Sequence, residues 1–534
     1  MRSALRFSTA AAASLMAISP AAAQQRGEID AKLYGYVGKD AKSAISARLL
    51  ERVSISNSRA KAKSAVDRVL FWHDVLLDSI GIDLTFDPGL DYTPAEQVGP
   101  TRASRAMAIT QIAVYDALNS FQQKYSAYSS AVMRAPKNAS ADVAIAYAAH
   151  DALAALFPAQ RARLAQLLAD DLGSIVASPG ERRKGRLVGK AAAAAILAAR
   201  AADKSYAFAD EPNFGEGGVL ANGATTTSSG NGVNDGTPGV LQWSPDPLTP
   251  NPSTPSGLNE LALGARWGDV TPFALASGDQ FRVPPPPAPG TAAYNAAYAE
   301  VAAIGGSPAN SNTTSTSTAA TRFIGNYWGY DAVPRLGTPP RLYGQIVAQI
   351  VRDQKVAHPV ELARLLARTH IAQADAGIAA WDSKYFYNYW RPVRGIRAED
   401  GVAATATDTT WDPVGVSVIN TTAAIRATPP FPAYPSGHAT FGAATFEVMR
   451  DKFGDIPFTF VSEEYDGQGV DPFGTPRPLV PVRFNSLTAA QIENGVSRVY
   501  NGVHWQYDNT EGQALGVKIG QRVLNGITPF QKKN

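Results

Sequence analysis

RAKAKSAVDRVLFWHDVLLDSI, residues 59–80, places Val66, Val69, Leu70, His73 and Leu77 along one stripe. That three-to-four-residue recurrence marks an amphipathic helix, and it decides the fold class because it returns along most of the chain. Residues 103–125 carry a second stripe through Ala108, Ile112, Tyr115 and Leu118, and alanine-rich helical patterns follow at 140–156, 159–174 and 181–202. Within the last of these, GRLVGKA (185–191) looks like a phosphate-binding loop but lacks its spacing, so it reads as helix. Helical patterns resume at 340–354, 359–390, 437–453, 487–500 and 507–525. Between 203 and 330 the composition turns loop-forming, in ATTTSSGNGVNDGTPG (224–239), VPPPPAPG (283–290) and SPANSNTTSTSTAAT (307–321). These stretches interrupt short helical pieces rather than linking two obvious globular units. No internal repeat and no run of alternating strands emerges. The expectation is an all-α protein with long surface loops, in which polar sites lie between facing helices.

A chain of 534 residues can bury a large core, as one big domain or two to three ordinary ones. A net charge of +3 with 18% charged residues gives no case for nucleic acid as a partner, which calls for clustered basic residues. The chain has no cysteine, so thiol catalysis, thiolate metal sites and disulfides are excluded. The first 23 residues read as a signal peptide: Arg2 and Arg6, the apolar run AAAASLMAIS, and an Ala21-x-Ala23 cleavage site. The alternative is an N-terminal anchor, but the run falls short of the ~20 residues a span requires. Later apolar stretches are also too short, AAAAAILAA at 191–199 being flanked by Lys190 and Arg200. The expected protein is periplasmic or secreted, with no membrane span in the mature chain and an undetermined oligomeric state.

Three short stretches carry the chemistry. In PSGHATFGAATF (435–446), Ser436 reads as a helix N-cap, Gly437 allows close approach to the backbone, and His438 stands at the helix mouth. A helix N-terminus attracts oxyanions, although the same residues also describe an ordinary helix start. In WDSKYFYNYWRP (381–392), Lys384 and Arg391 are seven residues apart and Trp381 precedes Lys384 by three, so an unbroken helix puts all three near one face. Pro392 disfavours helix at Arg391, which leaves the arginine at a helix end. Two solvated cations on a surface face is the competing reading. In SRVYNGVHWQYD (497–508), Arg498 and His504 would diverge on a continuous helix, and Gly502 suggests a stop and turn that lets both face one site. Asp508 then either fixes the His504 tautomer or caps the next helix. A histidine in an apolar stretch is otherwise a core residue. Together the stretches supply a lysine, two arginines, a hydroxyl, a glycine amide and two histidines, which suits a tetrahedral or trigonal oxyanion.

In the order K-x6-RP, PSGH and SR-x5-H, these motifs resemble the superfamily of vanadium-dependent haloperoxidases and type-2 phosphatidic acid phosphatases, without departures at the motif positions. Residues 99–120, 267–301 and 338–347 also look like segments of bacterial haloperoxidase-like proteins. The resemblance implies two four-helix bundles with long loops and the oxyanion site in the C-terminal one. The chain then divides into a signal peptide (1–23), an N-terminal extension (24–58), an N-terminal bundle (59–330) and a C-terminal bundle (331–534). It implies that Lys384, Arg391, Ser436, Gly437 and Arg498 hold the oxygens of vanadate or of phosphate in the same place. His504 would bond the metal or attack phosphorus, with Asp508 behind it, and His438 would be the acid–base group. The partners would be hydrogen peroxide, a halide and an organic acceptor. Trp381 and Phe431 match the chloride-oxidising members, where bromide oxidisers tend to carry arginine and histidine. The competing functions are a secreted acid phosphatase working through phosphohistidine and a non-catalytic phosphate-binding protein. Long soluble length, without membrane spans, favours the haloperoxidase.

Overall fold

In the computed structural model the stripe of residues 59–80 becomes α1 (Ala65–Asp83), opened by Ser64, whose hydroxyl accepts the Asp67 N–H. The residues described are 64–84, 96–97, 99–205, 241–248 without 245, 263–331 without 309 and 311, 336–415, 428–467, 477–526 and 529–533. The expected signal peptide, the extension to residue 58 and the loop 224–239 lie outside them. Four helices follow α1: α2 (Gly99–Gln122), α3 (Ala141–Leu156), α4 (Arg161–Ser174) and α5 (Pro179–Ala199). The loop-rich middle contributes α6 (Ala292–Ile304) and α7 (Ala319–Tyr327). Next come α8 (Pro339–Asp353), α9 (Pro359–Tyr387), the short α10 (Pro392–Arg397) and α11 (Gly437–Phe453). Helices α12 (Leu487–Tyr500) and α13 (Gln506–Asn525) complete the described helices, and GRLVGKA does lie inside one, α5.

Two expectations need correction. Strands β1 (Phe458–Asp466) and β2 (Leu479–Phe484) form an antiparallel pair that the sequence reading did not anticipate. Burial along β1 does alternate, but two of its inward positions are Ser462 and Glu464, so the apolar period was invisible. Glu464 is instead satisfied by an ion pair with the buried Arg477. Helix α9 also ends earlier than its pattern, at Tyr387, where Asn388 takes a left-handed conformation (φ 46°) and closes the helix. Lys384 and Arg391 therefore do not share a helical face; Arg391 arrives by a short loop.

Helix α9 runs between α2 on one side and α11 on the other, so one apolar cluster spans the molecule from Trp72 and Ile109 to Phe441 and Ile519. Each such wholly buried side chain stabilises the fold by roughly 1.5–3 kcal/mol. Helices α11 and α13 approach almost backbone to backbone, because Gly512, Gly516 and Gly520 form a four-residue-spaced groove facing Ser436, Thr440, Ala444 and Glu447. Their N-termini meet there, tied by the Ser436 N–H donating to the Asp508 carbonyl at 2.9 Å.

A strap of residues 263–284 is pinned along α9. The buried Asp375 accepts the N–H groups of Phe273, Ala274 and Leu275 at 2.7, 2.7 and 2.9 Å, and Asp382 takes Arg282 in a two-point pair. At the strap's start the Leu263 carbonyl accepts from both Trp381 Nε1 (3.0 Å) and Tyr385 Oη (2.7 Å). The fold thereby fixes the Trp381 ring next to the place where α9, α11 and α13 converge.

Candidate active site

Each of the three motif stretches delivers its side chains to this convergence point, all of them buried. Lys384, in the last turn of α9, is 0% exposed and donates from Nζ to the carbonyls of Pro432 (2.8 Å) and Ala433 (2.9 Å). Arg391 caps α10 in an extended conformation, as Pro392 requires. Its Nε donates to the Phe431 carbonyl at 2.9 Å and its Nη1 to the Val503 carbonyl at 2.7 Å. Arg498, in the last turn of α12, is held through both Nη atoms by Asp331 at 3.2 and 2.7 Å. Helix α12 stops two residues later and Gly502 turns the chain at φ 70°, so His504 swings back toward Arg498. The turn proposed from the sequence is there.

The two histidines have defined tautomers. His504 Nδ1–H donates to Asp508 Oδ2 at 2.8 Å, which leaves the Nε2 lone pair toward Arg391 Nη1, 3.2 Å away. The same Asp508 oxygen accepts the Trp505 N–H at 3.1 Å, so this carboxylate orients the imidazole and caps α13 at once. His438 Nε2–H donates to the carbonyls of Trp328 (3.1 Å) and Gly329 (2.9 Å), which makes Nδ1 its proton-accepting nitrogen. Ser436 caps α11, its hydroxyl accepting the Ala439 N–H at 3.5 Å and keeping its own proton to donate. Gly437 lies so close to Trp381 that a β-carbon would sit 3.2 Å from the ring.

Several donors are left over. Among the described residues Arg391 Nη2 and Arg498 Nε are buried without a hydrogen-bond partner, as is the acceptor Asp508 Oδ1. Leaving a buried charged donor unsatisfied costs several kcal/mol, so such atoms mark a place for a ligand. The electrostatics agree. Burial, and then the neighbouring Arg391, push the Lys384 ammonium well below its usual range. Burial brings Arg391 down to about 9, with Arg498 adding to the effect. His438 is lowered to about 3 by burial and Arg498, and His504 is lowered by burial, Arg391 and Lys384. Asp508 is raised to about 7 by burial, against the pull of Lys384. An anion among these cations would offset the like-charge part of the shifts of Lys384, Arg391, His438 and His504.

Sequence reasoning missed three contributors. Asp331 sits within 3.9 Å of His438 Nε2 while gripping Arg498, and the carbonyls of Trp328 and Gly329 fix the His438 ring. An acidic side chain inside an anion site has no compositional signal, and backbone carbonyls have none at all. The aromatic walls were visible: Trp381 and Phe431 lie 4.7 Å apart at 52°, with Lys384 Nζ 5.1 Å from the Phe431 ring centre. Among the described residues no group of three or more His, Cys, Asp or Glu side chains could hold a metal ion. A donor set of cations, amides and one imidazole nitrogen fits an oxyanion, with at most one bond from protein to a central metal.

The chain is similar to known proteins in sequence and in fold. Residues 364–532 match the family described as the VCPO second helical-bundle domain. The chain is 30% identical over 347 residues to vanadium chloroperoxidase of Curvularia inaequalis, covering 55% of this chain and 56% of that protein. It thus spans little more than half the length of this curated relative. The fold is similar to the crystal structure of a bacterial vanadium-dependent iodoperoxidase, with TM-score 0.63 and 22% identity over 87% of this chain and 98% of the other. A bacterial vanadium-dependent chloroperoxidase in holo form is similar at TM-score 0.58 and 18% identity, over 80% and 92%.

Proposed function

We propose, from its similarity to the VCPO second helical-bundle domain and to vanadium chloroperoxidase, that the chain is a vanadate-dependent haloperoxidase, oxidising halide with hydrogen peroxide to hypohalous acid. The carrying observation is the set of buried cations with unpartnered N–H groups converging on His504 Nε2, with His438 beside them. Arg391, Arg498 and Lys384 would hold the oxygens of vanadate together with the Ser436 hydroxyl and the Gly437 N–H, and His504 Nε2 would supply the bond to vanadium. When bound, vanadate supplies a Lewis acid that polarises hydrogen peroxide without changing its own oxidation state.

The residues do the rest. The hydrogen bond to Asp508 holds the His504 proton at Nδ1, which leaves the Nε2 lone pair available as a ligand. His438, whose Nε2–H is committed to the Trp328 and Gly329 carbonyls, would take a proton from hydrogen peroxide at Nδ1 and return one to the oxygen that leaves as water. Lys384 draws electron density from the reacting oxygen. In balance, one peroxide, one halide and one proton would yield one hypohalous acid and one water. The walls of Trp381 and Phe431 exclude water from the halide's approach, which supports oxidation of chloride as well as the easier bromide. Export to the periplasm or beyond belongs to the same reading, on the pattern of residues 1–23.

The test is a paired assay on protein purified without vanadium. Halogenation of a phenolic dye should appear on adding orthovanadate, and excess phosphate should suppress it competitively. Phosphate-ester hydrolysis that vanadate merely inhibits would make the chain a phosphatase, and silence in both assays a phosphate-binding protein.

A further inference from the structure

His438 is gripped at a second point, its own backbone carbonyl. That oxygen accepts Tyr343 Oη–H at 3.0 Å from α8 and Asn494 Nδ2–H at 2.9 Å from α12. Tyr343 Oη also lies 2.9 Å from Asn494 Oδ1, so its single proton is shared between that amide oxygen and the His438 carbonyl. Three helices therefore meet in one closed triangle, and both side chains are wholly buried. The notch they use exists because residue 442 is glycine: a β-carbon there would overlap Asn494 Nδ2. Asn494 stands one helical turn before Arg498 on α12, so the triangle joins the helix that carries Arg498 to the first turn of the helix that carries Ser436, Gly437 and His438. A carbonyl in the first turn of a helix needs no outside donor, since the N–H four residues on already serves it. Two extra buried donors on it are accordingly not required by the helix.

We propose that Tyr343 and Asn494 are positioning residues, which set the place of His438 Nδ1 relative to Arg498 across the oxyanion. This rests on the haloperoxidase reading for its effect on turnover, but the positioning itself does not. Tyr343→Phe removes one hydroxyl and keeps the ring. It should lower kcat for bromide oxidation by about tenfold, the order expected when a proton-transfer group is displaced by a fraction of an ångström. Affinity for orthovanadate should stay within about twofold, because the cations are untouched.

The deciding experiment is a double-mutant cycle with a second, activity-free arm. In the His438→Ala background Tyr343→Phe should have no further effect on kcat. In vanadium-free protein holding inorganic phosphate, side-chain NMR should show the His438 ring signal displaced in Tyr343→Phe and in Asn494→Ala, while that of His504 stays put. Equal losses of kcat in both backgrounds would overturn the proposal, as would an unmoved His438 signal or failure of both variants to fold. If the wild type halogenates nothing, the functional reading falls, and the NMR arm still decides the clamp.

Discussion

The two ends of the fold treat buried cations in opposite ways. In the N-terminal helices Arg68 is saturated: Asp171 takes its Nε at 2.8 Å, and Asp142 and Ser174 take its other nitrogens. Asp171 also accepts Trp72 Nε1 at 2.9 Å, so neither partner is left with a task. At the convergence of α9, α11 and α13, Arg391 bonds only carbonyls and an imidazole, and Arg391 Nη2 and Arg498 Nε find nothing among the described residues. The histidines differ in their partners. His73 and His370 face each other, Nε2 to Nε2 at 2.9 Å, with His370 passing its other nitrogen to Gln373 and on to Thr445. His438 and His504 each turn one nitrogen to a fixed protein partner, and the second nitrogen of His504 faces Arg391 Nη1. Burial alone therefore says little about function, and so does a lone unpartnered atom, since His73 Nδ1 and the Gln111 amide also lack partners among the described residues; what marks the site is two guanidiniums with unpartnered N–H groups beside two histidines.

The sharpest way to break this comparison is to remove one partner from each region. Asp171→Ala leaves Arg68 short of its main counter-ion in a dry core, and it should cost about 3–5 kcal/mol in urea unfolding. Orthovanadate affinity should be unchanged. A loss of affinity without loss of stability would erase the distinction. In the site the signs reverse. His504→Ala should lower vanadate affinity by more than about a hundredfold, since losing even an outer partner of a metal ligand costs 10–100-fold. Equilibrium dialysis would measure it. His438→Ala should retain most of the binding while slowing turnover by about a hundredfold. Equal loss of vanadate in both variants would refute the division of roles.

Much of this contrast was legible beforehand. The helices could be read because their apolar stripes are continuous, and Gly502 and Pro392 marked breaks that the backbone obeys. Ser436, His438, Arg498 and His504 could be grouped because each sits at a helix end with the right neighbours. Asp331 could not, because an acid that grips Arg498 from a distant loop leaves no local pattern. The shared face of Lys384 and Arg391 failed for a related reason: Asn388 ends α9 in a left-handed turn that the aromatic run concealed. Strand β1 was hidden by Ser462 and Glu464 on its inner face, whose partners, Tyr327 and Arg477, lie outside the strand.

Two smaller effects refine the picture. Phe431→His puts a hydrogen-bonding group where a ring now stacks 4.7 Å from Trp381, and chloride oxidation should fall about tenfold more than bromide oxidation. A wild type active on bromide or iodide alone would contradict the assignment of these walls to chloride. The second effect concerns His370, held at about 4 by burial, and His73, also lowered by burial. Below the ordinary value of 6.5 the unfolded chain binds protons that the folded pair refuses. Stability is thus intact above that value and lost as pH falls toward about 4, by up to about 2 kcal/mol for His370 at about pH 5, with His73 acting in the same direction. Urea midpoints at neutral and mildly acid pH should converge in His370→Gln relative to the wild type. An unchanged acid slope would mean that the pair is not the source.

The central claim is that the unpartnered donors around His504 form one oxyanion cradle. Titration calorimetry of the vanadium-free protein tests it directly, with orthovanadate added in the absence and presence of inorganic phosphate, on the wild type and on Arg391→Ala. We predict one site per chain, competition between the two anions, and affinity for both reduced by about tenfold or more in the variant. Binding of vanadate that phosphate does not displace, or that survives loss of Arg391 unchanged, would contradict the account.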